Sequence, residues 1–190
     1  MTRPRNLILL IVCLTSGAVF GQSRHKNEDN GLKGVPLKER IVVGGGLGAQ
    51  FGRQLDVFSI SPMIGYKVTE KFMTGASISY RYTKYKYYNP SIKLTDYGVS
   101  PFVRYTIFSG VFLQAEYEYL NYEFPQSATT TVRRGYNSFL AGGGFVQPIG
   151  DKAAFYLIAL YNFSYQSVQP GEYSPYPSPL ILRGGITLGF

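Results

Sequence analysis

Strict two-residue alternation is the feature that most limits how this chain can fold. Between Val111 and Tyr122, Val111, Leu113, Ala115, Tyr117 and Tyr119 share one face of an extended strand. Phe112, Gln114, Glu116, Glu118 and Leu120 share the other. A helix, at 3.6 residues per turn, would mix the two sets. The same division occurs at 72–84, where Phe72, Ala76, Ile78, Tyr80 and Tyr82 oppose Gly75, Ser77, Ser79, Arg81 and Thr83. Composition agrees with strands. The 17 tyrosines and 13 phenylalanines fit a pleated surface, and the 22 glycines suit bulges and turns. Charged residues make up 16% of the chain, against about 25% in a soluble domain. A helical bundle, a coiled coil and a disordered chain are excluded on these grounds.

Read this way, the sequence predicts eight strands, over 40–51, 57–66, 72–84, 95–106, 111–123, 136–147, 153–165 and 180–190. The connections 67–71, 107–110 and 148–152 are short, whereas 85–94, 124–135 and 166–179 are longer and polar. Only the first long-side connection, 52–56, is short. Tight turns at one end and long loops at the other describe an up-and-down barrel of the outer-membrane type. A weak repeat supports the hairpin reading: Ser61-Pro62-Met63-Ile64-Gly65-Tyr66 resembles Ser100-Pro101-Phe102-Val103-Arg104-Tyr105, each before a tight turn.

The first 21 residues read as a secretory signal peptide. Arg3 and Arg5 form a basic start, Leu7–Leu14 an apolar stretch too short to span a bilayer, and Val19 and Gly21 the small residues of a cleavage site. Residues 22–39 form a polar leader on the periplasmic side, and 40–190 the barrel. The net charge of +8 is scattered rather than striped, which argues against nucleic-acid binding. A single cysteine, Cys13, excludes an internal disulfide and a cysteine zinc site.

Alternation alone does not say which face points outward. The polar face carries Arg40, Gln50, Arg81, Arg104, Gln114, Glu116, Glu118, Gln147 and Arg183, and the apolar face Val43, Leu47, Ile60, Ile64, Ile78, Val99, Val103, Leu113, Leu157, Ile186 and Leu188. On the apolar face aromatic residues gather at the strand ends. Tyr66, Phe72, Tyr105, Phe155 and Phe190 lie at the short-turn end; Phe58, Tyr82, Tyr97, Tyr119, Tyr161 and Phe163 lie at the loop end. From Phe72 to Tyr82, at about 3.3 Å per residue and about 40° of tilt, is roughly 25 Å, the height of an outer-membrane apolar band. A soluble barrel has no reason for two such girdles. The expected fold is an eight-stranded antiparallel transmembrane β-barrel, with termini periplasmic and loops extracellular.

The chain resembles the small outer-membrane β-barrels of the OmpA/OmpX type found in Gram-negative bacteria, and in particular the porin-like outer-membrane barrel family of Bacteroidetes. The resemblance covers about 40–190 and includes the ending Ile186-Thr187-Leu188-Gly189-Phe190. It implies that Ile186, Leu188 and Phe190 act as the terminal signal read by the barrel-assembly machinery. It also implies outer-membrane lipid and lipopolysaccharide as partners.

Other candidate sites are weaker. Gly44, Gly46 and Ala49 match a dinucleotide pattern, but no helix follows to carry a pyrophosphate, so no cofactor is expected. Enzymatic barrels of the outer membrane use a histidine base near the loop-side rim. Here the one histidine, His25, lies in the leader. No catalytic residue and no metal site are therefore expected. Glu116 and Glu118, about 6.6–7 Å apart by strand rise, read as members of an interior ion-pair network with Arg81, Arg104 and Arg183. With Arg40 counted, that network carries excess positive charge. Tyr87, Tyr88, Tyr173 and Tyr176 are candidate loop contacts for an extracellular protein or surface ligand. The expected function is a non-enzymatic outer-membrane protein, structural or surface-binding. The alternatives are a narrow small-solute channel, against which an eight-stranded lumen argues, and a lipid-modifying enzyme.

Overall fold

A computed structural model describes Leu32 and residues 34–51, 53, 55–86, 91–126, 130–150, 152–166, 175–176 and 178–189. The signal peptide, most of the leader, Phe190 and the loop tyrosines Tyr87, Tyr88 and Tyr173 lie outside them.

Eight antiparallel strands close into one barrel in sequence order. They are β1 (Ile41–Phe51), β2 (Leu55–Lys67), β3 (Phe72–Tyr85), β4 (Ile92–Phe108), β5 (Val111–Pro125), β6 (Thr131–Pro148), β7 (Ala153–Asn162) and β8 (Leu180–Leu188). A single 3-10 turn, Leu37–Arg40, precedes β1. The long-side ends extend beyond the alternation read from sequence: β4 begins three residues earlier and β6 five, because β3–β4 and β5–β6 stay paired out to Tyr85–Ile92 and Pro125–Thr131. β7 instead stops three residues short of the expected end, at Asn162. The β4–β5 turn needs Gly110, whose φ of +80° a side chain would strain, and the β4–β5 register shifts between Thr106 and Phe108.

The closing seam is the shortest of the ladders. It pairs Val43 with Leu188, Gly44 with Thr187 and Gly45 with Ile186. By contrast β1 pairs with β2 along its whole length, from Ile41–Tyr66 to Phe51–Asp56.

Burial alternates with period two, most cleanly on β4, β5 and β7. The even positions of β4, β5, β6 and β7 face the lumen. There Phe102, Phe112, Leu140, Tyr156, Ile158 and Leu160 pack with Val42, Met63 and Met73 as the buried core. Large inward residues from β4, β5 and β7 meet small ones elsewhere. A Cβ on Gly75 would lie 2.6 Å from Phe102 Cζ, one on Gly144 2.6 Å from Phe112 Cζ, and one on Gly185 2.9 Å from Tyr156 Cε1. The glycines therefore make room for rings, which is what fills so narrow a lumen.

The outward face is apolar and uncovered. Leu47, Ile64, Ile78, Leu113, Leu182 and Ile186 are each more than half exposed. At the short-turn end of this face stand Tyr105, Phe145 and Phe155, and at the loop end Phe58, Tyr80, Tyr97, Tyr119, Phe139, Tyr161 and Phe163. Rings pack against one another there, Tyr161 on Phe163 at 5.1 Å and Phe139 on Phe163 at 5.9 Å between centroids.

Two residues assigned inward from sequence are not in the lumen. Arg40 belongs to the 3-10 turn rather than to β1. Its guanidinium holds the entering chain, donating to the Leu32 and Val35 carbonyls and to the Tyr66 hydroxyl. Gln147 pairs with Phe155 and shares the outward parity of Phe145, so it sits at the outer short-turn rim beside Pro148. A polar side chain is tolerated there because the rim is where the apolar band ends. The side chain of Gln50 lies outside the described residues.

Candidate functional site

The chemistry of the described residues is concentrated in the lumen, in one connected chain of polar side chains. It begins near the short-turn end with Arg104 on β4, which is 7% exposed. Arg104 Nε donates to Gln114 Oε1 at 2.7 Å, across the register pair that joins β4 and β5. Its guanidinium carbon lies 4.0 Å from the Phe112 ring centroid and 5.7 Å from those of Phe102 and Tyr156. Three ring faces thus offset part of the desolvation of this cation. Gln114 Nε2 donates in turn to Glu116 Oε1, two residues along the same face of β5.

At mid-height Arg183 crosses the lumen from β8, which is not a neighbour of β5. Arg183 Nη1 reaches Glu116 Oε2 at 2.7 Å and Nη2 reaches Glu118 Oε1 at 3.3 Å. One planar guanidinium spans two carboxylates because strand geometry places residues two apart on one face at a spacing the fork can bridge. The other oxygen of Glu118 accepts from the Tyr176 hydroxyl, which descends from the β7–β8 connection. Higher still, Arg81 Nε donates to Asp96 Oδ2 at 2.8 Å across the β3–β4 register pair, and Asp96 Oδ1 accepts from the Glu123 backbone N–H at 2.9 Å.

The structure brings together four of the five expected network residues, Arg104, Glu116, Glu118 and Arg183, with Gln114 as the link. Arg81 is inward but turns to Asp96 instead. Asp96, 2% exposed, is the residue missed by sequence reading. Its signal lies in the sequence: it shares the even parity of Arg104 on β4, one residue inside the predicted start of that strand. With Asp96 inside and Arg40 outside, Arg81, Arg104 and Arg183 stand with Asp96, Glu116 and Glu118 in the lumen, while Lys67 lines its short-turn end and Arg134, on the inward parity of β6, lies over Phe124 at its loop end. The expected network therefore changes in its members among the described residues, with Asp96 gained and Arg40 lost.

Ile186 and Leu188 are outward and about half exposed at the closing seam. Tyr176, expected as an extracellular contact, instead points down into the lumen. Below Arg104 a cavity of about 590 Å³ opens at the short-turn end, lined by Val42, Lys67, Met73, Phe112, Val146 and Thr187 among others. The stretch Gly44–Ala49 is continuous β-strand, so it has no helix with which to hold a nucleotide phosphate.

No family model matches the chain, and no curated protein matches it. Among solved structures it is similar to the N-terminal β-barrel domain of Pseudomonas aeruginosa OprF, at 14% identity and a TM-score of 0.48, over 80% of this chain and 98% of that one. The fold rests on the strand register itself: the chain is an antiparallel, closed, eight-stranded β-barrel.

Proposed function

We propose that the chain is an integral outer-membrane barrel without enzymatic activity, exported through its first 21 residues, with the short turns periplasmic and the long loops outside. Its role is structural or surface-binding. The observation that carries this reading is the inversion of polarity across the wall. Aliphatic side chains are uncovered on the outside between two sets of rings, while three arginines and three carboxylates are enclosed. Water would not leave Leu47 and Leu182, 75% and 68% exposed, outside a barrel whose inside is charged. Hydrocarbon would. On β4 the outward rings Tyr97 and Tyr105 are eight residues apart, about 20 Å of height after tilt. The lumen supports a filled barrel rather than a channel, since Arg183 and its two carboxylates cross it at mid-height.

Fractionation of cells together with gel migration before and after heating tests the reading. Recovery in the outer-membrane fraction, with a faster band before heating, is the expected result. Recovery as a soluble periplasmic protein would overturn it. Steady conductance in a planar bilayer would replace the structural role with that of a channel.

A further inference from the structure

On the outward face at the long-loop end, β3 and β4 set two lysines directly opposite each other. Lys84 and Lys93 are register partners. Both point outward, because their neighbours Thr83 and Leu94 are the buried, inward pair. Like charges directly opposite on one face of a sheet repel, so an arrangement of this kind calls for an anion.

Among the described residues of this rim no carboxylate is left over to supply one. Four cations, Lys84, Lys86, Lys93 and Arg133, share this rim with two carboxylates, Asp56 and Glu123. Each carboxylate has a bridge to one of the other two cations. Asp56 faces Lys84 across β2–β3 but bonds Lys86 at 2.8 Å. Glu123 bonds Arg133 at 3.0 Å and also accepts from the Thr95 backbone N–H and the Thr131 hydroxyl. The adjoining connections 85–91 and 124–130 contain no Asp or Glu at all. Among the described residues of β3 and β4, Lys84 and Lys93 are left side by side without a carboxylate.

What lies beneath the two lysines identifies the anion's carrier. Down the outward face of β3 from Lys84 run Tyr82, Tyr80 and Ile78; down β4 from Lys93 run Thr95, Tyr97 and Val99. Ile78, Tyr80, Tyr97 and Val99 are uncovered. A charge pair at the head of a bare apolar column matches a phosphate borne on acyl chains, with the phosphate at the lysines and the chains along the wall. From this geometry we propose that Lys84 and Lys93 form a binding site for the phosphate of a lipid in the surrounding leaflet. The proposal rests on the membrane reading above.

The test uses folded full-length mature protein in detergent micelles. It is mixed in turn with bisphosphorylated lipid A, with the same lipid stripped of its phosphates, and with inorganic phosphate, and bound species are read by native mass spectrometry. The phosphorylated lipid should stay bound, the stripped lipid and inorganic phosphate should not. K84Q or K93Q should weaken retention about fivefold and the double variant about thirtyfold, at about one charge contact each. K84R/K93R should retain the lipid, and K152Q, at the opposite end, should not differ from wild type. Equal retention by wild type and K84Q/K93Q would overturn the site. So would binding of inorganic phosphate in place of the lipid. Insertion into uncharged phosphatidylcholine vesicles, read by the heat-modifiable band, separates the two claims. Insertion without phosphate selectivity removes only the site, whereas failure to insert removes the membrane reading and the lipid with it.

Discussion

Replacing Glu116 with alanine tests the lumen most directly. The carboxylate is 4% exposed and holds two partners, Arg183 Nη1 at 2.7 Å and the Gln114 amide. Alanine leaves Arg183 with Glu118 alone at 3.3 Å and Gln114 without its acceptor. Breaking one side of a fully buried pair costs about 3–5 kcal/mol. Here Arg183 keeps a second carboxylate and its side chain is 29% exposed, which lowers that figure, while the orphaned amide adds about 1 kcal/mol. The expected loss is about 2–4 kcal/mol. Reversible urea titration in phosphatidylcholine vesicles measures it. The chain has no tryptophan, so tyrosine fluorescence or the folded gel band serves as the signal. Glu116→Gln, which keeps the shape and can still accept from Gln114, should lose less than alanine does. A double-mutant cycle with Arg183→Met should return a coupling of about 1–3 kcal/mol. A loss below about 0.5 kcal/mol for Glu116→Ala, or a coupling indistinguishable from zero, would refute the network as a source of stability.

Three further outcomes are expected. Ile78→Arg, on the outward face opposite Val99 and inside the apolar band, should destabilise the barrel in vesicles by about 2–4 kcal/mol, and Leu113→Arg, beside Tyr105 at the short-turn ring level, by about 0–1 kcal/mol; a neutral result for Ile78→Arg in the same titration would mean that this face does not meet hydrocarbon. Gly75→Ala, whose Cβ would press on the Ile64 carbonyl and on Phe102, should cost about 1–3 kcal/mol, whereas Gly143→Ala, with nothing nearer than 3.4 Å, should lie within about 0.5 kcal/mol of wild type. Tyr176→Phe removes one donor to Glu118 and should cost about 1–2 kcal/mol, together with faster amide exchange at the start of β8; unchanged exchange would place Tyr176 outside the network.

Strand number, order and facing were legible in the sequence because a closed barrel leaves one strong signal, period two, along nearly every strand. The inward parity of Arg104, Glu116, Glu118 and Arg183 followed from it. Partner choice did not. Arg183 meets Glu116 and Glu118 across the lumen, through a contact that no local pattern encodes. Asp96 and Arg40 stand at the strand ends predicted from sequence, where parity depends on where pairing starts, and a turn of 3-10 helix takes Arg40 out of the ladder. Gln147 shows the limit of reading facing from polarity alone, since its outward parity is set by register with Phe155 and not by its amide. The glycines on inward positions read as bends in sequence; the structure gives several of them a different reason, space for a facing ring.

The bond from Arg183 to β5 also bears on time. Glu116 and Glu118 sit on the fifth strand and Arg183 on the last, so the bridge can form only once the whole chain has threaded around and β8 has come home. Its energy is then absent from earlier stages of assembly, including the rate-limiting barrier if that precedes closure. Interactions of that kind leave the folding rate almost untouched and slow the reverse reaction. The closing seam pairs β1 with β8 only over Val43–Gly45, and Arg183 lies on β8 beyond its last pair, Gly45 with Ile186. The bridge thus works as a latch fastened last, lengthening the lifetime of the closed barrel by holding the strand whose departure would begin its opening.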